Sequence, residues 1–388
     1  MKILHTSDWH LGHTLYNHDR TEEHLSMIEQ ITGITAAEQP DVFLLCGDVF
    51  HTSQPSSTVH RMLEDAIIRI REANPGMTVI ITAGNHDSAA KHEIFRTPWR
   101  TMNVHTIGSI NQQHPEEHII EVPGKGYVAA IPYCHERNMP DGFRQRLLDI
   151  AAEMNSDSLP IVMTDHTTVR GCDFTGHDRA NEYTAGGIDA TDILDMGQGY
   201  DYLALGHIHH EQFVHTGKHN VRYAGTPIPV SFDENYPHSV SIVEIDHHGS
   251  TPTVRRIEIT NPKPLVTLPI EGYAKWEDAK RLLADFQDDI PAYIRLSVEV
   301  DDFLPVNAHA EATAIVSTKR CSLCHINTIR RCKTSGESKA MSVAEFQAED
   351  PLKIAIRYAE DTGIEFDNEM QELFAETIRM IETEDRNQ

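Results

Sequence analysis

Five short apolar runs, each closed by a cluster of polar residues able to bind a metal, constrain this chain more than any other feature. They are Lys2–Ser7 before Asp8, Val42–Cys46 before Asp48, Thr78–Thr82 before Asn85, Ile161–Met163 before His166, and Tyr202–Leu205 before His207. Short apolar runs bounded by turn residues read as buried strands. Helical patterns, Glu22 to Glu38 and Thr58 to Ala73, fill the early gaps. This alternation predicts strand-helix units feeding a largely parallel sheet. Ligands bind such sheets at the carboxyl ends of the strands, so the polar clusters are expected to converge on one rim.

After Tyr200 the strands come closer together, Val221 to Tyr223 and Ser239 to Ile245, which predicts a second sheet packed on the first. The expected fold is α/β, a two-sheet β-sandwich flanked by helices. Ile259 to Leu265, with Pro262 and Pro264, reads as a linker. Beyond it Trp276 to Phe286 reads as helix and Ala292 to Val300 as strand, a small α+β unit. From Ser342 the pattern is helical and acidic, with Phe366, Met370, Leu373, Phe374, Ile378 and Ile381 on one face. Such a stripe packs on its own domain or docks on another protein.

The residues that carry chemistry are Asp8 and His10 in DWH, Asp48 in GDVFH, Asn85 and His86 in GNHD, His166 in TDHTT, and His207 and His209 in GHIH. Singly, a buried histidine is more often a hydrogen-bonded core residue than a ligand. Five clusters in series, each behind a strand, point to a shared site, with Gly47, Gly84 and Gly206 providing tight turns. Mixed carboxylate, imidazole and amide donors suit Mn²⁺, Fe²⁺ or Zn²⁺. Asp48 is the natural bridge, because one carboxylate offers an oxygen to each of two cations.

Composition bounds the reading. With 388 residues the chain is longer than the usual single domain. Its opening, MKILHTSDWH, lacks a signal peptide's apolar stretch, and no run reaches the ~18 apolar residues of a membrane helix, so a soluble cytoplasmic protein is expected. Six cysteines without an extracellular cue are expected to be reduced thiols. The net charge of −26 argues against nucleic-acid binding by bulk electrostatics. Bound cations or a basic partner would reverse that locally.

In order and spacing DxH, GDxxH, GNHD, a later His, and GHxH resemble the signature of the calcineurin-like metallophosphoesterases. HTSDWHLG, GDVFHTSQPS, and YLALGHIH followed by VRYAGTPIPVSFDE resemble the SbcD nuclease branch, clearly over residues 1 to about 245 and more loosely beyond. The resemblance implies metal one on Asp8, His10, Asp48 and His209, and metal two on Asp48, Asn85, His166 and His207, both ions being divalent and Mn²⁺ the one expected. It further implies a role for His51 in placing the cleaved strand, while the position of His86 directly after Asn85 assigns it to transition-state charge or leaving-group protonation, with Asp87 orienting its imidazole. Asp165, where many relatives have glycine, either perturbs His166 or supports it from behind.

The same resemblance implies a nuclease domain over residues 1–258, a DNA-contacting capping domain over 266–335, and a helical segment over 342–388 that binds an SbcC-type coiled-coil ATPase. Duplex ends and hairpins are the implied substrates, a homodimer the implied assembly, and the nucleoid the implied place of action. A phosphoesterase for a small ester or cyclic nucleotide shares the motifs, and a non-enzymatic interaction module shares the fold. Two weaker signals remain. Cys321, Cys324 and Cys332 invite a zinc-knuckle reading, but adjacent Cys324 and His325 fit one ion poorly, and buried or free thiols are expected. Lys319, Arg320, Arg330, Arg331 and Lys333 form the most basic stretch, either a solvated face or a phosphate contact.

Overall fold

The computed structural model describes residues 1–175, 190–214, 219–287 and 289–330, and scattered positions between 352 and 374. All five expected strands form, as Lys2–Thr6, Val42–Cys46, Thr78–Thr82, Ile161–His166 and Tyr202–Gly206. The helices Thr21–Glu38 and Ser57–Ala73 lie between the first three. The second is capped by the Ser56 hydroxyl, which accepts from the Val59 N–H at 3.3 Å.

The first sheet runs Thr253–Glu258, Ser239–Glu244, Lys2–Thr6, Val42–Cys46, Thr78–Thr82, Val104–Ile107. Its last four strands are parallel, joined by strand-helix crossovers. The second runs Gln212–Phe213, Val221–Tyr223, Tyr202–Gly206, Ile161–His166, Gly126–Ala130, Ile119–Val122. The expectation of a second sheet after Tyr200 is therefore corrected. That sheet already begins at Ile119, and Ser239–Glu244 returns antiparallel to Lys2–Thr6 in the first. Strands at 104–107, 119–122 and 126–130 lack a metal cluster at their ends, the feature by which the others are recognised.

Alternation along each strand sorts the core into layers. Ile3, Leu44 and Ile80 face Val128, Val162, Tyr202 and Ala204 across the sandwich. Leu4, Phe43, Leu45, Val79 and Ile81 pack on the helix side with Met27, Ile31, Leu63 and Ile67. The second sheet's outer face meets Phe143, Leu147 and Leu148 of helix Phe143–Met154.

A third sheet centres on Tyr293–Val300, to which Leu265–Leu268, Ala274–Lys275 and Ser322–Arg330 pair in parallel. Helices Trp276–Asp285 and Ala308–Val316 cover it through Leu283, Ala312 and Val316. The sheets share one compact unit, Met1–Arg331. Leu265, expected as linker, is already strand, and Ile259 is buried in the first core. In the second unit, Cys332–Gln388, Met370, Leu373 and Phe374 are helical and exposed; Phe366, Ile378 and Ile381 lie outside the described residues. Among the described residues, no helix is long and apolar enough to cross a membrane.

Candidate metal centre

The parallel strands of both sheets deliver their polar clusters to one rim. Asp8 and His10 follow the first strand, Asp48 the second and Asn85 the third, while His166 closes one strand of the facing sheet and His207 and His209 follow another. Asp8, His10 and Asp48 have left-handed φ of 53°, 44° and 47°, and His207 has 94°. Such backbone costs of order 1–3 kcal/mol per residue and persists only where its surroundings fix it. Here backbone hydrogen bonds do so: Asp8 N–H to Gly47 O at 3.0 Å, His10 N–H to Asp48 O at 3.0 Å, and His207 N–H to the Asp8 carboxylate at 3.1 and 3.2 Å.

Of the three expected turn glycines, only Gly47 has a positive φ, +80°. Gly84 and Gly206 are required for space. A Cβ on Gly84 would run into the backbone N and carboxylate of Asp48, and one on Gly206 into the Cys46 carbonyl.

Three groups of donors result among the described residues: one is His10, His51 and His86, and the other two hold ligands expected from the sequence. Asp8, His10 and His209 offer ligand atoms within 4.8 Å of one another, as do Asp48, His166 and His207. Asp48 Oδ2 stands between them, 3.8 Å from His10 Nε2 and 3.5 Å from His166 Nε2. Asn85 Oδ1 lies 3.1 Å from His166 Nε2 and 3.0 Å from His207 Nδ1. All seven residues expected as ligands thus share one pocket rim or its wall. The pocket is about 190 Å³; His10, Asp48, Asn85, His207 and His209 line it with His13, His51, His86, Val230 and Glu234, while Asp8 and His166 lie buried behind that lining.

The surroundings fix the tautomers of His166 and His209. His166 Nδ1 donates to the Cys46 carbonyl at 2.9 Å, and His209 Nδ1 donates to Glu234 Oε1 at 2.8 Å. In the neutral rings Nε2 is then a lone pair, and His209 Nε2 faces His10 Nε2 at 3.2 Å. Lone pairs of imidazoles, amide and carboxylates pointing at one another are what cations would bridge, so the donor set fits divalent metals. The same crowding of acceptors also favours protons on the imidazoles. Burial opposes charge on His166, but Asp48 and Asp8 override it and raise its pKa to about 9. His209 is raised likewise, burial being outweighed by Glu234. Burial pushes the Asp8 carboxyl up, whereas His166 and His10 hold Asp48 well below the carboxylate range despite its burial.

The neighbouring residues settle several expectations. Asp87, expected to orient His86, is placed on backbone groups. Its carboxylate accepts the N–H groups of Val49, Phe50 and Gly84 at 2.8–3.0 Å, tying the Asp48 and Asn85 loops together. His86 Nδ1 donates instead to the His51 carbonyl at 2.8 Å, and His86 N–H to Asp48 Oδ1 at 2.8 Å. Its Nε2 lies 4.0 Å from Asp48 Oδ2. His51 lies beside it, ring centroids 5.7 Å apart. Asp165 supports His166 through the backbone: one oxygen accepts His166 N–H at 2.7 Å, the other Arg144 Nε at 2.7 Å, and Arg144 continues to Glu136.

Glu234 and Arg144 are the site residues that sequence reasoning missed. Glu234 lies inside the SFDE segment, but no spacing rule connects it to His209. Two cysteines of the zinc-knuckle reading pack in different clusters: Cys321 in the third sheet's core, and Cys324 with Leu15, Phe232 and Tyr293, while Cys332 lies outside the described residues. Lys319 Nζ donates to Phe286 O at 2.8 Å, Arg320 to Asp289 O at 2.5 Å, and Arg330 stacks on Phe303; Arg331 and Lys333 lie outside the described residues.

Residues 1–211 match the family profile of calcineurin-like phosphoesterases. The SbcD subunit of the SbcCD nuclease of Rhodobacter capsulatus is 30% identical over 71% of this chain and 73% of its own length. The SbcD subunit of Escherichia coli strain K12 is 26% identical over 78% and 79%, and that of Bacillus subtilis 27% identical over 99% and 100%. The chain belongs to the calcineurin-like phosphoesterase family, in the branch of the SbcD subunits of SbcCD nucleases.

Proposed function

We propose that this chain is the metal-dependent nuclease subunit of an SbcCD-type complex, cutting DNA phosphodiesters at duplex ends and hairpins. The observation that carries the reading is the pair of donor groups joined by Asp48, with tautomers set by Cys46 O and Glu234. Asp8, His10, Asp48 and His209 would hold one divalent cation, and Asp48, Asn85, His166 and His207 the other, with Mn²⁺ the ion expected. Bound there, the pair supplies an acidified water and positive charge for both the entering and leaving oxygens. His86 is assigned to the leaving group: Nδ1–H is held by His51 O, so Nε2 faces the pocket and can carry a proton or meet developing charge. His51 lines the pocket beside it and is assigned to positioning the strand.

Residues 1–258 form the nuclease domain, 266–335 a capping domain, and 342–388 the segment that docks an SbcC-type ATPase; the working subunit is a homodimer acting in the cytoplasm. The relatives' shared description supports the partner, and a basic partner would also offset the −26 charge. The test is cleavage of an end-labelled duplex, a hairpin and an aryl phosphodiester in Mn²⁺ or EDTA, with Asp48→Ala as control. Mn²⁺-dependent DNA cutting absent from the variant is expected. Hydrolysis of the small ester alone would identify a small-molecule phosphoesterase instead.

A further inference from the structure

The strands Thr14–Leu15 and His18–Asp19 pair as a hairpin whose two turn residues, Tyr16 and Asn17, both have positive φ, 47° and 68°. That is the twist of a type I′ turn, where glycine or asparagine is the usual occupant and a tyrosine is strained. The hairpin is wedged between the phosphoesterase body and the third sheet. Leu15 is buried with Phe232, Tyr293 and Cys324, His18 Nε2 lies 3.4 Å from Leu323 O, and Tyr293 OH donates to Asp19 O at 3.2 Å. So anchored, it holds Tyr16 out at 47% exposure, its ring stacked on His325 at 5.0 Å and 14°, with Phe232 at 6.1 Å.

Tyr16 lines a groove of about 160 Å³ with His13, Val230, Phe232 and Arg295. His13 and Val230 also line the metal pocket, so the groove adjoins it. Its one Lys or Arg among the described lining residues is Arg295, whose guanidinium is held by Asp233 at 2.7 Å and lies over Phe232 at 5.2 Å. With its one guanidinium already paired to Asp233, the groove offers a strand's phosphates little positive charge, whereas its ring faces offer the bases a stacking surface. Aromatic stacking is tolerant of sequence and compatible with an acidic chain.

Resting on the nuclease reading above, we propose that Tyr16 is a stacking platform that positions a base of the substrate strand beside the phosphate being cut. Its strained backbone is retained because the ring is needed where the hairpin puts it. The residue is positioning, not chemical.

The test measures Mn²⁺-dependent cleavage of a single-stranded oligonucleotide by the full chain, beside hydrolysis of bis(p-nitrophenyl) phosphate. Tyr16→Ala is expected to raise KM for the oligonucleotide by roughly 5- to 100-fold, the loss of one stacked base. Tyr16→Phe should stay within about twofold, and the slope of binding against salt should match the parent's, because no phosphate contact is removed. Ester hydrolysis should not change. Tyr16→Gly, which suits the positive φ, should share the defect with no fall in Tm. An unchanged KM in Tyr16→Ala, with a parent that cuts normally, overturns the stacking proposal alone. Parallel loss of ester hydrolysis overturns it too, since the hairpin would then only shape the metal pocket. A parent that hydrolyses the ester but cuts no oligonucleotide overturns the nuclease reading beneath it.

Discussion

At the scale of single residues, the division between groups that hold cations and groups that hold the holders is visible in hydrogen bonds. His209 owes its tautomer to Glu234, a buried carboxylate that also accepts from Thr226 Oγ1 at 3.1 Å and Val230 N–H at 3.2 Å. Glu234→Gln keeps the shape and removes the charge, and a Mn²⁺ titration followed by electron paramagnetic resonance should show one site weakened about 10- to 100-fold. Equal affinity at both sites in parent and variant would refute that role. His86 behaves oppositely. With Nδ1 committed to His51 O and His86 outside the seven residues assigned to the cations, His86→Ser should keep its metal content while turnover falls by about 10²- to 10⁴-fold. Metal analysis of the purified variant checks this, and a metal-free preparation would return His86 to the ligands.

At the scale of elements, the strand-to-loop junctions do the positioning, and they are the most legible part of the sequence. Each ligand follows a strand whose apolar residues must be buried, so the end of the strand fixes where the ligand emerges. The ligand motifs are readable because they are local. Glu234, Arg144 and the backbone bonds of Asp87 are not, because each acts across the fold on a backbone or ring that no periodicity connects to it. The makeup of the second sheet is hidden for the same reason: Ser239–Glu244 pairs with Lys2–Thr6, more than two hundred residues away in sequence. Junction packing makes its own prediction. In Gly206→Ala the new methyl meets the Cys46 carbonyl that orients His166, and the cost should be about 1–3 kcal/mol with weakened metal retention. Gly33→Ala, in helix Thr21–Glu38 with open space around it, should instead stabilise by up to about 1 kcal/mol. Thermal unfolding of the two variants side by side decides the point.

At the scale of the whole molecule, an acidic chain carrying 25 histidines responds to pH through those it buries as neutral rings. Burial, reinforced by Arg222, depresses His5 to about 3, and burial with Arg20 does the same for His24. Their folded pKa values lie below the unfolded value near 6.5, so the unfolded chain takes up protons first as pH falls. Stability should therefore drop from about pH 6.5 towards 3, by up to about 1.4 kcal/mol per pH unit for each ring. His166, raised to about 9 in the metal-free protein, has the opposite sign, but its contribution is already complete below 6.5 and offsets none of the loss. Calorimetry at pH 6 and 5, both below the window in which His166 titrates, should show a lower Tm in acid, with a shallower fall in His5→Gln. The central claim, that one carboxylate organises two cations at the meeting of two sheets, is tested most directly by counting them. Equilibrium dialysis against Mn²⁺ should give two ions per chain for the parent and none retained at the same free concentration by Asp48→Ala. A parent that saturates at one ion, or an Asp48→Ala variant that still binds two, would contradict the account.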